Sequence, residues 1–456
     1  MSVVAAEVPM PGRRRIITTY YALAGVYTLA ASVIWGVNTL FLLDAGLSFF
    51  EVFVANAAYS VGTVLFEIPT GVVADTLGRR VSFLASAVVL AAVTFLYLAL
   101  ARLDAGVAPF ALVSVLMGLG FTFYSGAVEA WLVDALDASG FRGALDSVFA
   151  RGQQVTGAAM LVGTIGGGLL GQLDLSAPYV VRSVLLVLVF AIAFSAMHDI
   201  GFTPRRVSAA ELPAEMAATA RAGVAFGWAQ RPIRLLMMVA SIQTGFVMWA
   251  FYAWQPYLLE LLERDAVWVA GLVSAGIALS TIAGNQVVDV AARYCGHRTT
   301  LMLWAVAFQS AAAIVVGVAS SFWVAVLGLF GIMGALGVMG PVRQAYIQQL
   351  IPSEQRATVT SFDSMVAGVG GTGGQLGLGA LGGAQSIPAA FVVGGLASAA
   401  ALPLVVRTRQ IGRVADLFSG RKAGAECGCA HGLPAVATVD AQAVEELQPA
   451  VATTTS

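Results

Sequence analysis

Residues 71–80 read Gly71-Val-Val-Ala-Asp75-Thr-Leu-Gly78-Arg79-Arg80. This stretch places one acid and two arginines between two long apolar runs, at 48–74 and 81–102. Each run exceeds the roughly 20 residues that a helix needs to cross the hydrocarbon core of a bilayer. We therefore interpret the stretch, called the charged loop below, as a short connection between two membrane-spanning helices.

Apolar runs of this length recur along the whole chain. Of its 456 residues, 59% are hydrophobic and only 11% are charged, whereas about a quarter of the residues in a soluble domain are charged. The runs are uninterrupted, whereas barrel strands would alternate over segments of about 10 residues. The sequence predicts an all-α membrane protein with twelve transmembrane helices in two pseudo-symmetric six-helix halves. The predicted spans, numbered in chain order, cover 17–43, 48–74, 81–102, 107–135, 146–173, 178–202, 233–262, 266–293, 299–318, 321–348, 355–382 and 387–406.

The basic residues predict how these spans are oriented. Arginines gather at alternate span ends, and in multi-pass proteins such ends face the cytoplasm. Only Arg102, Arg182 and Arg264 fall near the opposite ends. We therefore expect a multi-pass protein of the cell membrane with both termini in the cytoplasm. Its predicted parts are a cytoplasmic N-terminus at 1–16, the N-terminal half at 17–202, a cytoplasmic linker at 203–232, the C-terminal half at 233–406 and a disordered cytoplasmic tail at 407–456.

Charge and cysteine content exclude several other functions. The 24 basic and 25 acidic residues give a formal net charge of −1, which offers no electrostatic basis for nucleic-acid binding. Three cysteines are too few for a disulfide framework in a chain of this size. No nucleophile-and-base pattern or phosphate loop stands out, so we predict neither an enzyme nor a bound cofactor. Cys427, Cys429 and His431 have soft-metal chemistry, but three ligands in a disordered tail favour the absence of a metal site.

An internal repeat relates the two halves. One offset, 214 residues, recurs in four separate places and keeps tryptophan, aspartate and arginine pairs in register. Two six-helix halves in a parallel repeat are typical of duplicated transporters, which bind substrate between the halves near the bilayer midplane. The alternative is a chance alignment in a chain rich in glycine and alanine. The matched pairs are Trp35 and Trp249, Asp75 and Asp289, Arg79 and Arg293, Gly126 and Gly340, Leu136 and Leu350, Arg142 and Arg356, Ser147 and Ser361, and Gly157 and Gly371.

The charged loop closely resembles the loop signature of the major facilitator superfamily, which is a glycine, three residues, an aspartate, and then Gly-Arg-Arg or Gly-Arg-Lys. A degenerate second copy surrounds Asp289 and Arg293. Residues 67–71 (Glu-Ile-Pro-Thr-Gly) and 125–134 (Ser-Gly-Ala-Val-Glu-Ala-Trp-Leu-Val-Asp) are similar to a subgroup of bacterial members, many of them presumed drug exporters. The resemblance covers 17–406 and implies two halves that move around one central substrate site.

The resemblance assigns the charged loop to gating. In the family, a contact from this loop to the start of the eleventh span holds the inner side shut while the cavity opens outward. The glycines allow close helix approach and a tight turn, and the positive end of a helix dipole stabilises a nearby carboxylate. Ordinary positive-inside topology is the alternative explanation for the two arginines. The predicted gating residues are Gly71, Asp75, Gly78, Arg79 and Arg80, with Asp289 and Arg293 as a weaker mirror latch.

Charged residues within the spans are candidates for proton coupling. Glu67 lies eight residues before Asp75, about 12 Å into the membrane along a helix. Glu129 and Arg343 occupy matching repeat positions in the fourth and tenth spans, which line the cavity in the family. We predict Glu129 as the first coupling acid, with Glu67 second and Arg343 as the partner of Glu129 across the pseudo-twofold axis. The alternative is a static network of these residues with Asp134.

Aromatic and amide side chains on cavity-lining spans form the predicted substrate surface. An apolar pocket with a few amides suits an amphipathic organic molecule. Trp254, Tyr257 and Trp268 are interpreted instead as interfacial anchors. The predicted substrate residues are Trp35, Asn38, Tyr124, Gln243, Trp249, Tyr252, Gln255 and Gln344.

Taken together, these features predict a monomeric secondary active transporter in the lipid bilayer. It is expected to export a small amphipathic organic compound against proton entry. Antiporters of this kind usually carry a Gly-Pro in the fifth span and an arginine in the fourth, and both are absent here. An importer or facilitator of a small metabolite therefore stays open, as does a membrane receptor or scaffold that binds without transport.

Overall fold

The computed structural model describes residues 12–202, 214, 217, 221, 223–264, 266–351, 356–411 and 414–418. Within these ranges the chain is almost entirely helical, and its β-structure is limited to one isolated bridge between His297 and Leu417. Long apolar sequences satisfy their backbone hydrogen bonds inside a helix, which explains this outcome. The predicted all-α membrane fold is confirmed.

The helices of each half are numbered in chain order. In the N-terminal half they are α1 (Arg13–Ser32), α2 (Asn38–Asp44), α3 (Phe49–Leu77), α4 (Arg79–Arg102), α5 (Val107–Tyr124), α6 (Ala127–Ala138), α7 (Leu145–Leu173) and α8 (Ala177–Ala196). In the C-terminal half they are α9 (Arg231–Leu262), α10 (Val267–Tyr294), α11 (Arg298–Val318), α12 (Phe322–Leu350), α13 (Arg356–Ala384), α14 (Ile387–Ala399) and α15 (Leu402–Gln410).

Twelve spans are formed by these helices. Among the described residues, ten helical segments are long and apolar enough to cross a membrane. The first span consists of α1 and α2, and the eleventh is the glycine-rich α13. We call the end of the bundle at which α1 and α4 begin the basic end, and the opposite end the far end.

Three spans are interrupted, which hydropathy alone does not reveal. The fourth breaks between α5 and α6, where Gly126 has φ of 73°, in the left-handed region that favours glycine. The twelfth breaks before α15, whose first turn contains Pro403, because proline cannot continue the preceding helix. The first breaks at 33–37, between α1 and α2.

The two halves share one packing pattern, repeated six spans later. In the N-terminal half α1 packs on α7, and in the C-terminal half α9 packs on α13. The pairing of α3 with α5 recurs as α10 with α12, and the packing of α4 on α5 and α8 recurs as α11 on α12 and α14. The predicted pseudo-symmetric halves are therefore confirmed.

Small residues bring the halves together along two seams, α7 with α10 and α3 with α13. A Cβ built on Gly168 of α7 would lie 2.6 Å from the Cα of Gly271 in α10. The two backbones are thus in direct contact, as stripes of small residues in membrane helices permit. On the other seam, Ser60 accepts a hydrogen bond from Gln375 at 3.2 Å.

Within the predicted tail, 407–456, the structure describes residues 407–411 and 414–418. The helix α15 extends to Gln410, and the Asp416 carboxylate accepts hydrogen bonds of 2.7 Å from both the backbone N–H and the hydroxyl of Thr299. Asp416 therefore caps the first turn of α11. Of the predicted linker at 203–232, the described part includes a π-helical turn, Gly223–Trp228, that packs on α13. Cys427, Cys429 and His431 lie outside the described residues.

Candidate functional site

A cavity of about 280 Å³ lies among spans 1, 2, 3, 4 and 6 and reaches span 7. This volume is close to the lower limit of typical small-molecule sites. No acidic residue is found in its described lining, and the lining is strongly aromatic. Its aromatic, amide and charged members are Tyr27, Trp35, Asn38, Asn56, Tyr59, Tyr97, Phe121, Tyr124, Arg182 and Tyr252.

Half of the predicted substrate residues belong to this cavity. Trp35, Asn38, Tyr124 and Tyr252 line it. Trp249 does not, because it is fully buried in the C-terminal half, where its ring centroid lies 4.8 Å from that of Phe391. The repeat pairs Trp35 with Trp249 in sequence, but the two side chains have different surroundings.

The three predicted glutamines also lie outside the cavity lining. Gln243 is buried within the C-terminal half, where its Oε1 accepts a hydrogen bond of 2.7 Å from Gln309. Gln344 is exposed near the basic end of α12. Gln255 is completely buried, and its role is described below. Gln243 and Gln344 therefore lie away from this cavity.

Two of the three predicted interfacial anchors are inside the bundle instead. Trp254 and Tyr257 are each 2% exposed. The Tyr257 hydroxyl donates to the Val316 carbonyl at 2.8 Å, so its polar atom is satisfied within the protein. Trp268, which is 44% exposed near the far end, has the exposure of an anchor.

A chain of hydrogen bonds fixes the two cavity asparagines. The Tyr179 hydroxyl donates to Asn38 Oδ1 at 2.9 Å, and Asn38 Nδ2 donates to Asn56 Oδ1 at 3.2 Å. Asn56 Nδ2 in turn donates to the Val52 carbonyl at 3.0 Å. Because each amide oxygen already accepts a bond, the chain holds both side chains in place.

Arg182 is the charged residue that the sequence did not assign to the site. It was expected at the far end of the sixth span, yet it lines the cavity and is only 6% exposed. Its Nε donates to Thr94 Oγ1 at 3.2 Å. Among the described residues no carboxylate pairs with it. A cation inside a membrane bundle marks a functional site by default.

Gln255 bridges the two halves at the far side of the cavity. Its Oε1 accepts the backbone N–H of Thr39 at 2.9 Å, and its Nε2 donates to the carbonyl of Trp35 at 2.9 Å. Thr39 Oγ1 also donates to the carbonyl of Tyr252 at 2.9 Å. The amide thus satisfies backbone groups that the break between α1 and α2 leaves without helical partners. We call these contacts the Gln255 bridge.

Replacing the bridging amide should loosen the far end. In Gln255→Leu the Thr39 N–H and Trp35 carbonyl lose buried partners, at about 1–3 kcal/mol for each unsatisfied group. Backbone amides in 38–44 should therefore exchange hydrogen at least about 10-fold faster in mass spectrometry of the purified protein. Gln243→Leu is the matched control, because Gln243 is a buried glutamine of the same helix that bonds only within its own half. Equal exchange in all three proteins would argue against the bridge.

The charged loop is tied to its own half. Asp75 and Arg79 form an ion pair of 2.6 Å, and Arg79 lies 3.8 Å from Asp134 of α6. Among the described residues no contact joins Asp75 to α13, so the described part of the eleventh span does not form the expected latch with this loop. In the second copy, Asp289 and Arg293 are exposed and form no described ion pair.

Asp199 holds the other end of the charged loop. Its Oδ1 accepts the backbone N–H of Arg80 at 2.9 Å, near the start of α4. Gly78 has φ of 108°, and a Cβ there would collide with the Asp199 carboxylate. Glycine is required at this position on both counts. The pKa of Asp199 is raised above its ordinary value, because the effect of burial exceeds the opposing effects of the Arg80 hydrogen bond and charge.

Glu129 occupies a distinctive position in the first turn of α6, directly after the break in span 4. Its Oε2 is buried and has no described hydrogen-bond partner. It interacts electrostatically with Tyr124, which lines the cavity. The helix N-terminus favours a charged carboxylate and burial opposes it. The protonation state of Glu129 should therefore depend on which groups contact its carboxyl.

The expected pair of Glu129 with Arg343 is not formed. Arg343 instead makes a two-bonded ion pair with Asp363 of α13, at 2.8 and 2.9 Å. Such bidentate pairs have a fixed geometry, so Arg343 connects spans 10 and 11 within its own half. The static network with Asp134 is not formed either. Glu67 is exposed and has no described side-chain partner.

Sequence reasoning missed Arg182 and Asp363. Asp363 lies inside the predicted span at 355–382, and this was a usable signal, because an acid within a span needs a partner. For Arg182 the signal was weaker, since an arginine a few residues inside a span can extend to the interface. Its burial follows from the packing of α8 against α4.

Comparisons with known proteins agree with this architecture. The sequence model of the Major Facilitator Superfamily matches residues 20–293, more than half of the chain. The nucleoside transporter NupG has a TM-score of 0.74 at 10% identity, over 87% of this chain and 99% of its own. The human organic anion transporter MFSD10 (TETRAN) has a TM-score of 0.59 at 17% identity, over 87% of this chain and 100% of its own. The POT family transporter PepTSo has a TM-score of 0.64 at 13% identity, over 88% of this chain and 99% of its own. No curated protein matches the sequence.

Proposed function

Because the chain belongs to the major facilitator superfamily, we propose that it is a secondary active transporter that exports a small amphipathic organic compound by alternating access, driven by proton entry. The observation that carries this proposal is the cavity, which is formed by the N-terminal half and reaches Tyr252 of the C-terminal half, with the Gln255 bridge between the two halves on its far side. A central site whose access depends on contacts between two movable halves is what alternating access requires.

The basic end is proposed to face the cytoplasm, as the distribution of arginines indicates. The structure then corresponds to an inward-facing state. In support, the Gln255 bridge and the contact of Gly168 with Gly271 both lie toward the far end. On the basic side, Gly71 and Gly340 are exposed, and a Cβ built on either would meet no atom within 4 Å.

Glu129 is proposed to couple transport to protons, with Glu67 as the second candidate. Glu129 has a buried oxygen without a described partner, and it lies beside a cavity tyrosine and a break in the helix. A substrate in the cavity and a proton on Glu129 can therefore influence each other through Tyr124. Arg343 is proposed to act in packing, because its charge is already paired with Asp363.

Asp75 is proposed to stabilise the outward-facing state by contacting the N-terminus of α13. In Asp75→Asn this charge–dipole contact, worth about 0.3–2 kcal/mol, is weakened, so we expect counterflow to slow by roughly 2- to 30-fold. The unfolding midpoint should hardly change, since a partly exposed ion pair between neighbouring turns of a helix contributes less than about 1 kcal/mol. Rates in proteoliposomes and thermal unfolding check this prediction.

Asp289→Asn is the control for Asp75→Asn. Asp289 holds the matching repeat position but is exposed and has no described ion pair. Its replacement should slow counterflow less than Asp75→Asn does. A variant of Asp75 with normal turnover would rule out gating by this residue.

Counterflow in proteoliposomes tests the function itself. Compounds are first selected by growth of an overexpressing strain on a panel of toxic amphipathic molecules. Vesicles loaded with a selected compound should then take up its labelled form, and an inward proton gradient should drive export from cells. Binding without exchange would identify a receptor and overturn the proposal. Exchange with uptake as the driven direction would instead support an importer.

A further inference from the structure

Arg182 is a cation in the wall of the cavity, and no described carboxylate pairs with it. It is 6% exposed, and its described hydrogen bond uses only Nε, which donates to Thr94. The described cation–aromatic contacts are made by Arg79 and Arg80. The two Nη atoms of Arg182 therefore have no described protein partner. Because an unpaired charge inside a membrane protein is costly, this arrangement needs a compensating group.

The groups around Arg182 favour an anion as that compensating group. The hydroxyls of Tyr59, Tyr124 and Tyr252 line the cavity and make no described hydrogen bond, so they are free to donate. The two asparagines are held by their own hydrogen-bonded chain. With no acid in the described lining, the cavity presents one positive charge and several donors.

The shape of the cavity limits the rest of the ligand. Tyr27 and Tyr124 stack with ring centroids 3.5 Å apart and an interplanar angle of 4°. Trp35 and Phe121 also line the cavity, and we call these four rings the aromatic wall. Flat aromatic molecules pack well on such rings, and a volume of about 280 Å³ admits only a small one.

We propose that the cavity binds a small aromatic carboxylate, whose anionic group pairs with the two Nη atoms of Arg182 and whose ring packs against the aromatic wall. The planar guanidinium matches a carboxylate with two parallel hydrogen bonds, which an ammonium could not do. This inference rests on the proposed transport function, because it names the chemical class of the substrate at the same site.

Matched ligands of different charge test the proposal on the unaltered protein. Three ring systems, phenyl, indole and naphthalene, are each supplied as the acetate, the neutral acetamide and the ethylamine. Binding to the purified full chain in detergent is measured by the shift of its thermal unfolding midpoint with ligand concentration. We expect at least one carboxylate to bind roughly 10-fold or more tightly than both its amide and its amine. If no carboxylate is preferred over its neutral counterpart, the proposal is wrong.

Two variants locate the effect at Arg182. Arg182→Gln should reduce carboxylate affinity roughly 10- to 100-fold, the range expected for losing a hydrogen-bonded charge, while amide binding changes little. Arg182→Lys retains the positive charge but cannot make the two parallel hydrogen bonds of the planar guanidinium. Its carboxylate affinity should therefore lie between those of Arg182→Gln and the unaltered protein. Carboxylate binding in Arg182→Gln equal to that of the unaltered protein would overturn the assignment. Should Arg182→Gln fail to fold, the comparison of carboxylate, amide and amine binding to the unaltered protein still decides whether the cavity prefers an anion.

Binding and transport can fail separately in these experiments. Carboxylate-selective binding without counterflow would contradict the transporter proposal and leave the anion site intact. Counterflow of amides or amines with no carboxylate preference would support transport and overturn the anion site.

Discussion

The substitution Gly168→Val is expected to reduce counterflow by roughly 10- to 100-fold. A Cβ at this position would lie 2.6 Å from the Cα and 2.7 Å from the backbone N of Gly271, which belongs to the other half. Neither helix backbone can yield locally, so α7 and α10 must separate. Overpacking of this kind costs about 1–3 kcal/mol, and the penalty falls on states in which the far end is closed.

Gly166→Val is a closely matched control, because it makes the same change two residues away on the same helix. A Cβ on Gly166 meets no atom within 4 Å, so counterflow should stay within about 2-fold of the unaltered protein. Both variants are measured in proteoliposomes at equal protein content, with gel filtration to check folding. If Gly168→Val exchanged substrate normally, close contact of the halves at this seam would not be needed for transport.

The second large effect is expected from Glu129→Gln, which should abolish transport driven by a pH gradient. Glutamine retains the size of the side chain in the first turn of α6 but cannot bind and release a proton. Counterflow, which needs no net proton movement, should continue at about half the normal rate or better. The measurement compares gradient-driven transport with counterflow in the same proteoliposome preparation.

Asp137→Asn provides the control for the loss of a carboxylate on α6. Asp137 is exposed on the same helix, so its replacement should leave both activities unchanged. Glu67→Gln serves to test the second candidate acid in the same way. Unchanged pH-driven transport in Glu129→Gln would remove Glu129 from the coupling mechanism.

The spans and the repeat could be predicted because both are local properties of the chain. Hydropathy places the end of α9 at Leu262 and the start of α14 at Ile387, as the structure has them. A helix that satisfies its own backbone bonds depends little on its neighbours in lipid. Even so, the break at Gly126 escaped prediction, because a single glycine inside an apolar run changes hydropathy very little.

The site was only partly predictable, because side-chain surroundings depend on how helices rotate against one another. Trp35 and Trp249 hold matching positions in the repeat, but Trp35 lines the cavity, whereas Trp249 is fully buried in a core cluster formed mostly by the C-terminal half. Likewise, Glu129 and Arg343 have matching positions and opposite charges. The partner of Arg343 is nevertheless Asp363, on a neighbouring span of its own half.

By itself, the sequence determined the number of spans, their approximate ends and the pairing of two halves, since apolar length and repeated residues are written along one chain. Only the tertiary structure decided which polar groups meet. The Gln255 bridge joins residues more than 200 positions apart, and Arg182 lines a cavity that no single span forms. Within a bilayer, packing between helices sets the direction of each side chain, and this information is absent from the hydropathy of any one helix.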